Sequence, residues 1–234
     1  MPYYYGHYMD PTYLLVIVGF LLTLFASFGV KATFAKYRNV GNARGCTAAM
    51  AARRILDANG LQNVQIERVR GELTDHFDPR AGVVRLSDAT YDSVSVGSIG
   101  VAAHECGHAI QYATGYAPIK IRNRIVPVVN IGNSLSMPLF LIGLLLGRTE
   151  IAMAGVLLFS LVLIFQLVTL PVEFNASMRA MKILEQSDML YGDELKGAGK
   201  VLRAAAMTYV AAVASTCLQL LRLLLIVGQR NRRD

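Results

Sequence analysis

The sequence predicts an α+β, mainly helical integral membrane protein, in which a cytoplasmic core is joined to three or four transmembrane helices. Three observations lead there. Hydrophobic residues make up 54% of the 234 and charged residues only 17%, whereas soluble domains run closer to a quarter charged. Mean hydropathy is +0.41. Uncharged apolar runs close to the length needed to cross a bilayer alternate with basic stretches of ordinary composition. A disordered chain is excluded, because so much apolar surface does not stay solvated.

Residues 1–11 form an external N-tail. They carry no Lys or Arg, but include Tyr3, Tyr4, Tyr5 and Tyr8, which suit a membrane–water interface. Residues 12–30 are the first span. A cleaved signal peptide is disfavoured, because the segment before the run lacks a basic residue and holds Asp10, and Ala26-Ser27-Phe28 makes a poor cleavage site. Residues 31–126 are cytoplasmic. Within them residues 45–59 have helical period and end at Gly60, a residue suited to the position after a helix C-terminus. Residues 64–69 and 82–87 alternate as short strands, and a helix is predicted over 97–113. Residues 127–147 are the second span, polar in its first half through Asn130, Asn133, Ser134 and Ser136, which should face protein or water. Residues 151–171 are the third span, joined to the second by a link short enough for an antiparallel hairpin. Residues 172–204 return to the cytoplasm. Residues 205–228 are the candidate fourth span, in which Arg222 is expected to snorkel. Its Ala-rich first half also suits packing on a soluble domain, so three and four spans both stand. Residues 229–234 are a basic tail.

The formal net charge is +7. The basic residues sit at span flanks (Lys31, Lys36, Arg38 and Arg44; Lys120, Arg122 and Arg124; Arg179 and Lys182) and form no single stripe. That distribution reads as membrane topology and argues against a nucleic-acid partner. It places the N-terminus outside a multi-pass protein of the cell membrane. Arg230, Arg232 and Arg233 run against this rule if the fourth segment crosses. Cys46, Cys106 and Cys217 are too few and too widely spaced for a disulfide framework, and are read as reduced thiols. Nothing in the sequence specifies an oligomeric state.

The chemistry lies in residues 97–113, GSIGVAAHECGHAIQYA. His104 and His108 are separated by four residues, about 40° apart round a helix, so they can share one metal ion. Glu105 is offset by about 100° and can reach a water on that metal without ligating it, whereas Cys106, about 200° round, points away. Two histidines and a glutamate on an otherwise apolar helix are costly unless satisfied. Gly107 within that helix suggests close packing. A catalytic zinc site needs a third protein ligand. Glu173, just past Pro171 where the hairpin returns, is one candidate. His76, in a stretch that also reads as a plain Asp-rich turn, is the other. Met178, Met181 and Met189 read as core packing.

The residues VAAHECGHAIQY, the upstream LTDHFDPRAGVVRLS and the downstream LPVEFNAS resemble the YugP-like membrane-embedded neutral zinc metallopeptidases, distantly similar to the HtpX and CAAX-prenyl-protease group. The resemblance extends over nearly the whole chain and implies a zincin-like catalytic core. It implies one Zn2+ per chain, held by His104, His108 and Glu173, with Glu105 as catalytic base. In the wider group the residue four after the ligand Glu is usually an Asp that supports a ligand His. Here it is Ser177, so Ser177 or Asn175 does that work, or the supporting carboxylate comes from elsewhere. Metallopeptidases of this type commonly hold substrate against an edge strand, for which Val83–Leu86 is the candidate, a merely structural strand being the other reading. Arg179 is the candidate oxyanion group.

The implied activity is a zinc metalloendopeptidase acting on membrane-associated or misfolded proteins or peptides at the cytoplasmic face, with a polypeptide substrate and the lipid bilayer as partners. The alternative is a non-catalytic metal-binding membrane scaffold or chaperone-like assembly factor. Structural zinc sites are closed and usually contain Cys, and would not need Glu105 free.

Overall fold

The computed structural model describes residues 10–231. The tyrosines of the N-tail, Arg232 and Arg233 lie outside the described residues. The chain is mainly helical with one small sheet. The described residues divide into two compact units, 26–124 with 167–210, and 10–25 with 125–166 and 211–231.

The first of these carries the sheet. Helix α2 (Ala48–Ala58) begins where the Thr47 side chain accepts the Met50 amide, and buries Ala48, Ala51, Ala52, Ile55 and Leu56. Gly60 follows at φ +75°, the left-handed conformation expected just past a helix end. Strands β1 (Gln65–Val69), β2 (His76–Asp78) and β3 (Val83–Ser87) pair in the order β1-β3-β2. β3 is parallel to β1 and antiparallel to β2, with His76 opposite Arg85. The expectation of a free edge at Val83–Leu86 is therefore overturned. β3 is the central strand, buried at Val83, Val84, Leu86 and Ser87, and both of its sides are taken. Helix α3 (Val96–Ala113) starts with the Ser95 hydroxyl accepting the Ser98 amide. Its apolar residues pack with α2 and the sheet in one core that includes Ile55, Leu86, Ile99, Leu184 and Leu190. Met181 and Met189 join this core, but Met178 is exposed and does not.

Among the described residues, four helices are long and apolar enough to cross a membrane, as expected of a multi-pass membrane protein. They are α1 (Tyr13–Tyr37), α4 (Ala117–Leu145), α5 (Thr149–Gln186) and α6 (Gly192–Arg230). Each runs beyond the apolar window that marks it in the sequence. α4 passes through Pro127 and Pro138, and α5 passes through Pro171 without ending there. In the second unit Phe140, Ala152, Val156, Leu223 and Val227 form a small core. Gly155 lets the α4 backbone come so close that a Cβ there would lie 2.5 Å from the Phe140 nitrogen, the small-residue contact typical of membrane helices. Arg222 has its guanidinium 4.5 Å above the Tyr13 ring, a cation–π partner that the expectation of simple snorkelling did not include. The side chains of Phe20, Phe25 and Phe28 on α1 are more than half exposed, as suits helix faces turned to lipid.

Candidate metal centre

Helix α3 presents His104 and His108 on one face, one turn apart. Their rings lie 4.7 Å apart between centroids and nearly perpendicular. α5 meets this helix closely. Gly107 is the reason, since a Cβ there would sit 2.7 Å from the Ala176 carbonyl oxygen. That contact places Glu173, one turn before Ala176, against the histidine pair. Its Oε2 lies 3.3 Å from His104 Nε2 and 3.5 Å from His108 Nε2. The potential ligand atoms of these three residues all fall within 4.8 Å of one another. The Glu173 carboxylate is almost wholly buried, and its Oε2 has no hydrogen-bond partner. A buried, unsatisfied carboxylate oxygen aimed at two imidazole nitrogens is costly by itself, and fits a cation between them. Two imidazoles and one carboxylate are a donor set suited to zinc.

Each histidine is held from behind. His104 Nδ1 is 3.1 Å from Ser177 Oγ. His108 Nδ1 is 3.0 Å from Gln111 Oε1, and Gln111 is itself fixed by donating to the Val172 carbonyl and to Asn175 Oδ1. With Nε2 turned to a metal, Nδ1–H donates in both cases. Of the two expected supporting residues, Ser177 meets a histidine directly and Asn175 acts through Gln111. Burial opposes charge on His108, but the neighbouring Glu173 and Glu105 carboxylates outweigh that and raise its pKa.

Glu105 is buried beside the pair, outside the three-donor cluster, and lines the same cavities. Cys106 points the other way, its Sγ 3.6 Å from the Ala52 carbonyl, and burial pushes its thiol pKa up. His76, on β2, faces one of these cavities but is not in the cluster. Its Nδ1 lies 2.9 Å from the Thr74 carbonyl oxygen. Arg179 is placed elsewhere. Its Nε donates to Asn175 Oδ1 and its guanidinium lies 6.0 Å from the Tyr116 ring, so it ends the hydrogen-bonded chain behind His108 and does not line the cavities beside the pair.

Three residues at the site were not singled out from the sequence. Gln111 stands three after His108, a spacing that shares a helix face and could have been read. Arg122 was taken for a flank charge, yet its Nη1 is 3.4 Å from Glu173 Oε1. Tyr209, on α6, lines both cavities with Glu105 and Glu173, and no local motif marks it.

Residues 12–228 match the family described as "Putative neutral zinc metallopeptidase". The chain is also 47% identical, over 94% of its own length and 97% of the relative's, to "Putative membrane protease YugP" of Bacillus subtilis (strain 168). No solved structure matches. A match that runs from the first apolar helix to the last, over a chain with this donor set, identifies it as a member of the neutral zinc metallopeptidase family.

Proposed function

We propose that the protein is a zinc-dependent endopeptidase whose metal is held by His104, His108 and Glu173, one ion per chain. The observation that carries this reading is the Glu173 Oε2 atom, buried, without a hydrogen bond, and 3.3 and 3.5 Å from the two imidazole Nε2 atoms. A zinc ion held there supplies Lewis-acid polarisation of a scissile carbonyl and acidifies water.

The chain's own residues do the rest. Glu105 accepts the proton of the attacking water and delivers it to the leaving amine. Ser177 and Gln111 fix the ring orientation of the two histidines. Arg122 holds the other oxygen of Glu173. Tyr209 has a hydroxyl that can donate to the developing oxyanion, a role its place in both cavities suits better than the place of Arg179. The exposed edge of β2, which shares a cavity with the histidine pair through His76 and Phe77, takes over from β3 as the strand against which substrate backbone aligns. Basic flanks on residues 31–126 and 172–204 support a cytoplasmic site and an external N-terminus. Membrane-associated or misfolded polypeptides are then the substrate class.

The test is Glu105→Gln in the full chain. Zinc content by atomic spectroscopy is expected to hold while cleavage of a test protein falls by at least about a hundredfold. Normal cleavage by that variant removes Glu105 from the mechanism.

A further inference from the structure

Two cavities meet at the histidine–glutamate cluster, and they differ in chemistry. One, of about 250 Å³, is walled by Val30, Phe34, Val101, Val201, Leu202 and Ala206. Among the described residues, no Lys or Arg lines it. Its acidic member outside the centre, Asp75, has both carboxylate oxygens occupied, by the amide and the hydroxyl of Ser87. The other cavity, of about 300 Å³, carries His76, Arg122 and Asn123. His104, Glu105, Glu173 and Tyr209 line both, so the reacting groups form the wall between an apolar chamber and a polar one.

We infer that the apolar chamber receives one large hydrophobic side chain of the substrate, on one side of the scissile bond only. The inference rests on the peptidase reading and names what that site selects. A peptide bond brought to Glu105 and the histidine pair must place its flanking side chains in the two chambers. A cavity of about 150 Å³ already holds a benzene ring. The volume of 250 Å³ therefore fits one Leu, Met or Phe side chain and not a longer apolar segment. An anionic side chain there would lose its hydration facing Glu105 and Glu173, with no counter-ion among the described lining residues. On the other side Arg122, Asn123 and His76 offer polar partners and no comparable apolar enclosure. Ala206 and Leu202, both buried on α6, set the room available.

The experiment uses the purified full chain in detergent, loaded with zinc, and a defined library of short peptides whose cleavage positions are read by mass spectrometry. Leu, Met or Phe is expected to be enriched on one side of the cut and not on the other. Ala206→Leu narrows the chamber and should lower the ratio of kcat/KM for a Leu-bearing peptide over its Ala analogue by about tenfold or more. Leu202→Ala widens it and should raise the ratio for Phe over Leu. Binding gives a second readout. The full-length Glu105→Gln chain should hold the Leu-bearing peptide about tenfold tighter than the Ala analogue, by fluorescence anisotropy. Equal enrichment on both sides, no apolar enrichment, or equal binding of the two peptides overturns the inference and leaves the peptidase reading intact. Absence of cleavage of every library peptide by the zinc-loaded chain overturns both.

Discussion

Glu173 is the residue on which the centre turns. A carboxylate so deeply buried survives only where positive or donor groups surround it, and its neighbours are two imidazole nitrogens and Arg122. Glu173→Ala should therefore cut zinc bound after dialysis to a small fraction of that in the unsubstituted chain, while His104 and His108 remain. Unchanged zinc by atomic spectroscopy would hand the third position to another residue, His76 first, since it faces the adjoining cavity. Ser177→Ala tests the support behind His104. Loss of that partner should weaken zinc affinity by about ten- to a hundredfold, as measured by chelator competition. His104, Glu105 and His108 were legible because a four-residue spacing on a helix fixes what they can share. Glu173 was one of two candidates for the place beside them, and it lies there because the hairpin brings the chain back to the histidine pair. Tyr209 and Arg122 were not legible, because each reaches the site only through tertiary packing of a distant helix.

Between elements, the decisive contact is α3 against α5. Replacing a helical Gly by Ala ordinarily gains about 1 kcal/mol of helix propensity. At Gly107 the added methyl meets the Ala176 carbonyl oxygen at 2.7 Å, and that oxygen is backbone and cannot swing aside. Overpacking of this kind costs about 1–3 kcal/mol, so Gly107→Ala should be net destabilising. It should also lower zinc retention, because the two helices that carry the proposed ligands must part. A higher melting temperature with full zinc would show that propensity wins and that the close approach is dispensable. Hydropathy located the apolar cores of the four long helices, but not their ends. Pro171 was read as the end of a span, yet α5 continues to Gln186 and carries Glu173 and Ser177 on one continuous helix. A proline forfeits one backbone hydrogen bond, which neighbouring groups in a packed helix tolerate. The strand order was equally hidden. An alternating run such as Val83–Ser87 reports burial, and does not report whether a third strand, His76–Asp78, closes its free side.

For the molecule as a whole, the membrane imposes a parity argument. Residues 31–126 and 172–204 are separated by the α4–α5 hairpin, and two crossings return the chain to the side it left. The histidines and Glu173 are then in the same compartment whichever way the protein faces. Orientation is a separate question. On the proposed reading, the lysines and arginines flanking the spans favour a cytoplasmic compartment, and four crossings would then carry Arg230 outside with the N-terminus, against the usual bias. The large basic excess just after the first span should dominate over the few charges of the tail. Alkaline phosphatase, active only outside, and green fluorescent protein, fluorescent only inside, distinguish the cases when fused at Ser187 in the α5–α6 turn or after Asp234. The Ser187 fusions should be fluorescent and phosphatase-inactive, and the C-terminal fusions the reverse. If the C-terminal fusions alone behave as internal, α6 does not cross, and its Ala-rich half packs on the core while the tail obeys the charge rule. If both positions are reversed, the whole orientation is reversed, and the proposed centre faces outward with His104, His108 and Glu173 still together.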